Sequence, residues 1–130
     1  MVTPVKDTAA MISGMAPVLD EAVYHFCQGA EHLISQALAS FREDEGLSLI
    51  LTDELAQAEG LASDLSMKRI TLSVHSALDG VGLTAAVATV LADNGIACSM
   101  VAGFHHDHAF VPAADAERAV ALLNALSKTV

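Results

Sequence analysis

Residues 69–75 read RITLSVH, an alternation of apolar and polar side chains over the length of one strand. This period of two predicts a strand that is covered on one face, since successive side chains of a strand point to opposite sides of the sheet. Apolar residues at helical spacing follow in 81–93, and Asn94-Gly95 ends that helix. Strands over 96–103 and 109–111 and a helix over 114–126 complete the second half of the chain.

The first half repeats this succession of elements in a weaker form. The pattern predicts a leading helix from Asp7 to Met15, a strand over 22–27, helical turns over 31–38, a hairpin over 39–51 and a capped helix over 54–59. Phe41 and Asp44 precede Phe104 and Asp107 by the same number of residues, so we infer a degenerate internal duplication. We expect a leading helix and linker over 1–19, an N-terminal half over 20–65 and a C-terminal half over 66–130.

The predicted fold class is therefore α+β. It consists of tandem ferredoxin-like halves of βαββα order, whose antiparallel sheets are covered on one face by helices.

Composition limits the possible partners of the chain. Its 130 residues are 53% hydrophobic and 17% charged, which excludes intrinsic disorder, and the net charge of −10 disfavours nucleic acid and anionic membranes. No apolar run reaches the roughly 20 residues that cross a bilayer, and the first residues lack the pattern of a secretory signal. We therefore expect a soluble, cytoplasmic protein with no nucleic-acid or membrane partner.

Two connections in the second half are predicted to meet. The strands at 69–75 and 96–103 point the same way when a crossover helix joins them, and the third strand returns between them. The loop at 76–82 and the turn at 104–108 therefore share one end of the sheet. Gly80, Gly82 and the start of the helix favour a carboxylate, while Asp79 and Asp107 favour an ammonium or guanidinium group. A zwitterionic amino acid suits both, although the glycines could simply allow a tight turn.

Metal and cofactor chemistry has less support. His105, His106, Asp107 and His108, with His75, invite a zinc or iron site, but strand alternation separates them onto two faces. The G-x-G-x-x-A pattern at 80–85 lacks the strand and crossover context of a dinucleotide site. Cys27 and Cys98 have no metal-binding or redox spacing. From these observations together we predict no metal ligands, no cofactor and no catalytic residues.

Four stretches, 70–76, 81–86, 91–96 and 106–112, resemble an ACT domain. ACT domains are small βαββαβ regulatory modules that bind amino acids or related small molecules, usually where two modules meet. The whole chain is similar to small stand-alone bacterial proteins with two ACT-like halves, which are distant relatives of the CASTOR amino-acid sensors. Residues 41–47 match the first half of that family, and residues 127–130 are too short for the last strand of the second half.

The resemblance implies a ligand site built by the loop and the hairpin, with Asp107 meeting the basic end of the ligand. The implied ligand-binding residues are Ser76, Asp79, Gly80, Val81, Gly82, Leu83, Gly103, Phe104, His106, Asp107 and His108. We expect a non-enzymatic regulatory or sensor module, acting as a homodimer, in which Asp107→Ala and Gly82→Val abolish binding with little loss of fold. The alternatives are an ACT-like assembly protein without a ligand and a metal-dependent enzyme that uses the tract 105–108.

Overall fold

The computed structural model describes residues 3–130, whose strands form one six-stranded antiparallel sheet. The elements in chain order are α1 (Thr8–Ser13), β1 (Val18–Gln28), a 3-10 helix (Glu31–Gln36), β2 (Ala39–Glu43), β3 (Gly46–Thr52), α2 (Asp53–Ala58), β4 (Met67–Leu72), α3 (Leu83–Asp93), β5 (Ser99–Ala102), β6 (Asp107–Pro112), a 3-10 turn (Ala113–Asp115) and α4 (Ala116–Ser127). The strand order across the sheet is β2-β3-β1-β4-β6-β5. The predicted α+β class is confirmed, with the two halves sharing one continuous sheet.

Strand β1 joins the two halves of the sheet, because it pairs with one strand of each. Its first residues pair antiparallel with β4, with Val18 opposite Thr71, and its last residues pair with β3, with Gln28 opposite Ser48. The register with β4 shifts between residues 19 and 23, and such an irregularity bends a strand. Strands β1 and β4 lie side by side at the centre of the sheet. Strand β1 therefore borders the second half, and β4 borders the first.

The helices cover one face of the sheet, as the alternating pattern predicts. The main core cluster joins Ile70 and Leu72 of β4 to Val87 of α3 and Leu123 of α4, and α1 adds Met11 to the same cluster. On the other face, a separate cluster around Tyr24 and Phe110 contains strand residues and no helical residue. The sheet therefore has a helix-covered face and an open face.

Local signals set most element boundaries. The Asp7 side chain accepts a hydrogen bond from the Ala10 amide at the start of α1, and Thr52 caps α2 in the same way. Strand β4 ends at Leu72 instead of His75, since the backbone at 73–77 bonds to the segment around α1, including a parallel bridge between Val5 and Ser76.

The equal spacing of Phe41 and Phe104 and of Asp44 and Asp107 has no structural counterpart. Asp44 lies in the turn between β2 and β3, whereas Asp107 is the first residue of β6. The inferred register of the duplication is therefore wrong, because the two hairpins have turns of different length. Within residues 3–130, no helix combines the length and apolar character needed to cross a membrane.

Candidate functional site

The loop after β4 and the turn between β5 and β6 meet at one end of the sheet. Both β4 and β5 pair antiparallel with β6, which lies between them, so β4 and β5 run in the same direction. The Ser76 hydroxyl donates a hydrogen bond to Oδ2 of Asp107 over 3.2 Å and links the two connections directly. The convergence predicted from chain direction is confirmed.

A cleft of about 160 Å³ lies between these connections. Of the residues proposed for ligand binding, those in its wall are Ser76, Gly80, Gly82, Leu83, Gly103 and Asp107. The wall also contains Ala77 and Leu78 of the expected loop, and three residues that the sequence reasoning missed, namely Met11, Thr84 and Ala102. Met11 comes from α1, and no local pattern indicates that this helix packs against a loop some seventy residues away.

Five of the proposed residues lie outside the wall of the cleft: Asp79, Val81, Phe104, His106 and His108. His108 follows Asp107 in β6 and so faces the open side, where its Nδ1 lies 2.9 Å from the Thr71 hydroxyl. Asp79 pairs with Lys6, whose Nζ lies 2.8 Å from Oδ2, and the bond from this ammonium group holds the pKa of the carboxyl below its usual range. Its charge thus serves an exposed ion pair with the leading segment.

The remaining three residues shape the connections themselves. The carbonyl of His106 accepts a hydrogen bond from the Gly103 amide over 2.9 Å and closes the turn between β5 and β6. Val81 and Phe104 are 77% and 75% exposed, so their side chains point to solvent at the end of the sheet where the cleft opens.

Two glycines in the loop allow α1 to approach it closely. Gly82 has a φ of +111°, and a Cβ atom there would lie 2.6 Å from Cγ2 of Thr8. A Cβ atom on Gly80 would lie 2.9 Å from Sδ of Met11. The Thr8 hydroxyl also donates to the Val81 carbonyl. The expectation that Gly82→Val would leave the fold intact is therefore wrong, because a side chain there strains the backbone and displaces α1.

Groups of opposite electrostatic character line the cleft. The first intrahelical bond of α3 runs from the Ala86 amide to the Gly82 carbonyl, so the amides of Leu83 and Thr84 have no acceptor within the helix. This helix start carries partial positive charge, and Leu83 and Thr84 both contribute to the wall. The Asp107 carboxylate supplies negative charge to the same cleft. The arrangement is complementary to a molecule that carries both a carboxylate and an ammonium group.

Histidine rings gather beside the cleft without forming a ligand set. The rings of His75 and His105 have centroids 5.3 Å apart, and the ring of His106 lies 6.4 Å from that of His75. Within the described part of the chain, no group of three or more His, Cys, Asp or Glu residues is arranged to hold a metal ion. Burial raises the pKa of the Cys27 and Cys98 thiols, which leaves them protonated and poor ligands.

The fold and the cleft together define a class of small α+β domain, in which two βαββα units share a sheet and leave a loop-lined cleft at its end. ACT domain models match residues 3–68 and residues 68–125. The chain therefore belongs to the ACT domain family and contains two such domains in tandem. ACT domains are regulatory modules rather than catalytic ones, and this membership supports a ligand-binding role in general terms.

Solved structures with the same architecture agree with this assignment. A Vibrio cholerae protein of unknown function, described as a possible transport protein, is 42% identical over 92% of this chain and 94% of its own, with a TM-score of 0.81. An Agrobacterium tumefaciens protein is 23% identical over 85% of this chain and 87% of its own, with a TM-score of 0.66. The ligand-free regulatory subunit of aspartate kinase from Thermus thermophilus shares the fold at 8% identity, covering 85% of this chain and 95% of its own, with a TM-score of 0.56. No curated protein matches the chain.

Proposed function

We propose that the chain is a non-enzymatic sensor whose cleft binds a small amino acid. The observation that carries this proposal is that the Asp107 carboxylate and the start of α3 line the same cleft. An ammonium group would bond to Asp107, and a carboxylate would accept hydrogen bonds from the free amides at Leu83 and Thr84. Family membership supports ligand binding at such a site, and the charges of the cleft support a zwitterion.

The size of the cleft limits the ligand. Its volume of about 160 Å³ is well below the roughly 300–1,000 Å³ of pockets that hold drug-sized molecules. Met11 and Leu83 supply an apolar part of the wall, and both are buried. A short side chain, as in glycine, alanine or serine, therefore fits better than a long basic or aromatic one.

Exposed apolar side chains around the cleft favour a homodimer. Leu78 and Val81 on the loop and Phe104 on the turn are each more than 70% exposed. Monomeric proteins rarely expose clustered apolar surface of this kind, and such patches mark interaction sites. We propose that a second copy of the chain covers them and shields the bound ligand.

The two free cysteines are compatible with the reducing cytoplasm, which remains our proposed location.

Thermal shift with the twenty common amino acids tests the sensor proposal. A ligand at one hundred times its Kd stabilises the folded state by about 2.7 kcal/mol, so binding by one or more small amino acids should raise Tm measurably. Asp107→Asn should remove this shift, because the ammonium group loses its charged partner. Asp79→Asn is the matched control, since Asp79 lies outside the cleft wall and should leave the shift intact.

Failure of every amino acid to raise Tm would count against the sensor and favour the assembly function. That second function is supported by the same exposed side chains at Leu78, Val81 and Phe104. Both functions use a dimer through these side chains, so sedimentation velocity across a concentration series should show a dimer that is lost in Phe104→Ser and kept in Asp107→Asn in either case. A dimer that forms while no amino acid raises Tm identifies the assembly protein.

A further inference from the structure

The open face of the sheet carries a groove that is separate from the cleft. Two adjoining cavities of about 390 and 210 Å³ share the residues Ala39, Ile50 and Val101 in their walls. Ala39 belongs to β2 and Val101 to β5, which are the two edge strands of the sheet. Since both edge strands line the same cavities, the sheet curls its edges toward each other and encloses a groove over the open face.

One end of this groove is apolar. Phe26, Phe41 and Ile50 line the larger cavity, together with small side chains of β2 and β3. Phe41 is 72% exposed, and Phe26 is 39% exposed although its ring packs edge-on against Phe110 at 5.2 Å between centroids. Leaving these two rings in water costs free energy that an apolar ligand would recover.

The other end of the groove contains a guanidinium group. Arg69 and His108 line the smaller cavity, beside the buried ring of Phe110. Arg69 donates from a terminal nitrogen to Oδ2 of Asp20 over 2.9 Å, and its buried Nε has no hydrogen-bond partner among residues 3–130. A guanidinium carries five N–H donors, and leaving a buried donor unpaired is unfavourable.

The neighbouring polar groups already have partners. Asp20 also accepts from the Tyr24 hydroxyl over 2.6 Å and from the Ala22 amide over 3.0 Å. His108 bonds to Thr71. Arg69 is therefore the residue at this end with spare donor capacity and a permanent charge, and its natural complement is a carboxylate.

We propose that this groove binds a monocarboxylate with an unbranched apolar chain of medium length. Its carboxylate would bond to Arg69, and its chain would lie along Val101 and Ile50 toward Phe26 and Phe41. This ligand differs in kind from the amino acid of the cleft, because the apolar end of the groove offers nothing to an ammonium group. The two sites lie on opposite faces of the sheet, since Asp107 faces the helices and Arg69 faces the open side.

Tyrosine fluorescence reports on the polar end of this groove through Arg69. Tyr24 is the single tyrosine of the chain, and there is no tryptophan. Its ring lies 5.9 Å from the Arg69 guanidinium and 6.0 Å from the ring of Phe110, and its hydroxyl bonds to Asp20. A ligand that draws Arg69 toward its own carboxylate alters the surroundings of Tyr24, so its emission should change on binding.

The test is a fluorescence titration with octanoate below its micelle concentration. Octanoate should give a saturable change, and hexanoate should bind roughly tenfold more weakly, because each buried CH₂ contributes about 0.8 kcal/mol. Octan-1-ol has the same chain without the charge and should also bind at least about tenfold more weakly. Acetate, which has the charge without the chain, should give no saturable change.

Matched variants separate the groove from other surfaces. Phe41→Ser and Phe104→Ser remove equally exposed rings, but only Phe41 lines the groove. Phe41→Ser should weaken octanoate binding at least about fivefold, because the chain loses an apolar partner, and Phe104→Ser should leave it unchanged. Arg69→Gln should abolish the preference of octanoate over octan-1-ol. If Arg69→Gln does not fold, the Phe41 and Phe104 pair and the ligand series decide the question alone.

Several results would overturn the proposal. These are no saturable response to octanoate, equal affinity for octan-1-ol, or equal weakening by Phe104→Ser. Loss of a dimer in Phe41→Ser without any octanoate binding would assign the groove to a second copy of the chain instead. Asp107→Asn should leave octanoate binding intact, so failure of the amino-acid proposal and failure of this one are distinguishable.

Discussion

Substitution of Gly82 tests whether α1 and the loop after β4 form one packed unit. The backbone at Gly82 has φ +111° and ψ −21°, which side-chain-bearing residues rarely adopt, and a Cβ atom there would lie 2.6 Å from Cγ2 of Thr8. Two separate penalties therefore act on Gly82→Ala. Backbone strain costs about 1–3 kcal/mol, and the forced displacement of Thr8 costs about 1–3 kcal/mol more. We expect the free energy of unfolding to fall by about 2–6 kcal/mol.

Gly95→Ala provides the matched control. Gly95 has φ +72°, and a Cβ atom there would have no neighbour within 4 Å, so only the backbone penalty of about 1–2 kcal/mol applies. Thr8→Ser removes the methyl group that collides with residue 82 and keeps the hydroxyl that bonds to Val81. In the Gly82→Ala background, Thr8→Ser should therefore restore about 1–2 kcal/mol, although alone it should be neutral or slightly destabilising.

Urea unfolding followed by far-ultraviolet circular dichroism measures each of these free energies. The reasoning is refuted if Gly82→Ala costs no more than Gly95→Ala, or if Thr8→Ser fails to relieve it. Either result would mean that α1 does not pack against the loop, and the cleft would then lose the wall that Met11 provides.

Three further predictions concern buried and charged groups. His25→Ala should lower the free energy of unfolding, measured in urea, by about 2–3 kcal/mol, because the buried ring loses its hydrogen bonds to Asp53 and to the backbone at 63. The control, His32→Ala on the surface, should cost under about 0.5 kcal/mol. Burial raises the pKa of Asp20, but the bonds from the Tyr24 hydroxyl, the backbone at 22 and a guanidinium outweigh this effect and hold the pKa below its usual value. Its stabilisation is therefore complete above about pH 4 and lost as the pH falls through the lower folded-state pKa, so Asp20→Asn should flatten the acid side of a plot of Tm against pH. Burial lowers the pKa of His108. The stability that this residue contributes is therefore complete above about pH 6.5 and is lost as the pH falls through its folded-state pKa. His108→Gln should reduce the loss of Tm between pH 7 and 5, and an unchanged loss would contradict this assignment.

Much of the fold follows from local sequence. The alternation in 69–75, the caps at Asp7 and Thr52 and the glycines that end α2 and α3 all act within a few residues. The helix ends appear where these signals indicate them, and the alternation marks β4 although that strand spans Met67–Leu72. The position of β1 beside β4 was not predictable, because their pairing joins residues some fifty positions apart and leaves no local pattern.

The candidate site was partly predictable for the same reason. The handedness of crossover connections and the return of β6 place the loop and the turn at one end of the sheet, and Ser76 and Asp107 do meet there. Strand alternation also places Asp107 on the opposite face from His106 and His108. It therefore predicts that the two histidines lie outside the cleft, as the structure shows. The partner of Asp79 was not predictable, since Lys6 reaches it through the packing of α1.

The sequence by itself determined the succession of strands and helices, the direction of each strand and thus the end of the sheet where the cleft forms, because hydrophobic periodicity and chain handedness are local or general properties. Tertiary structure alone decided which elements form the wall of that cleft and how the opposite face of the sheet is shaped. The docking of α1 on Gly80 and Gly82, the sharing of β1 between two halves and the curl that brings Val101 near Ala39 all depend on contacts between distant residues. Such contacts form only when the whole chain packs, since no short segment can bury its apolar face alone.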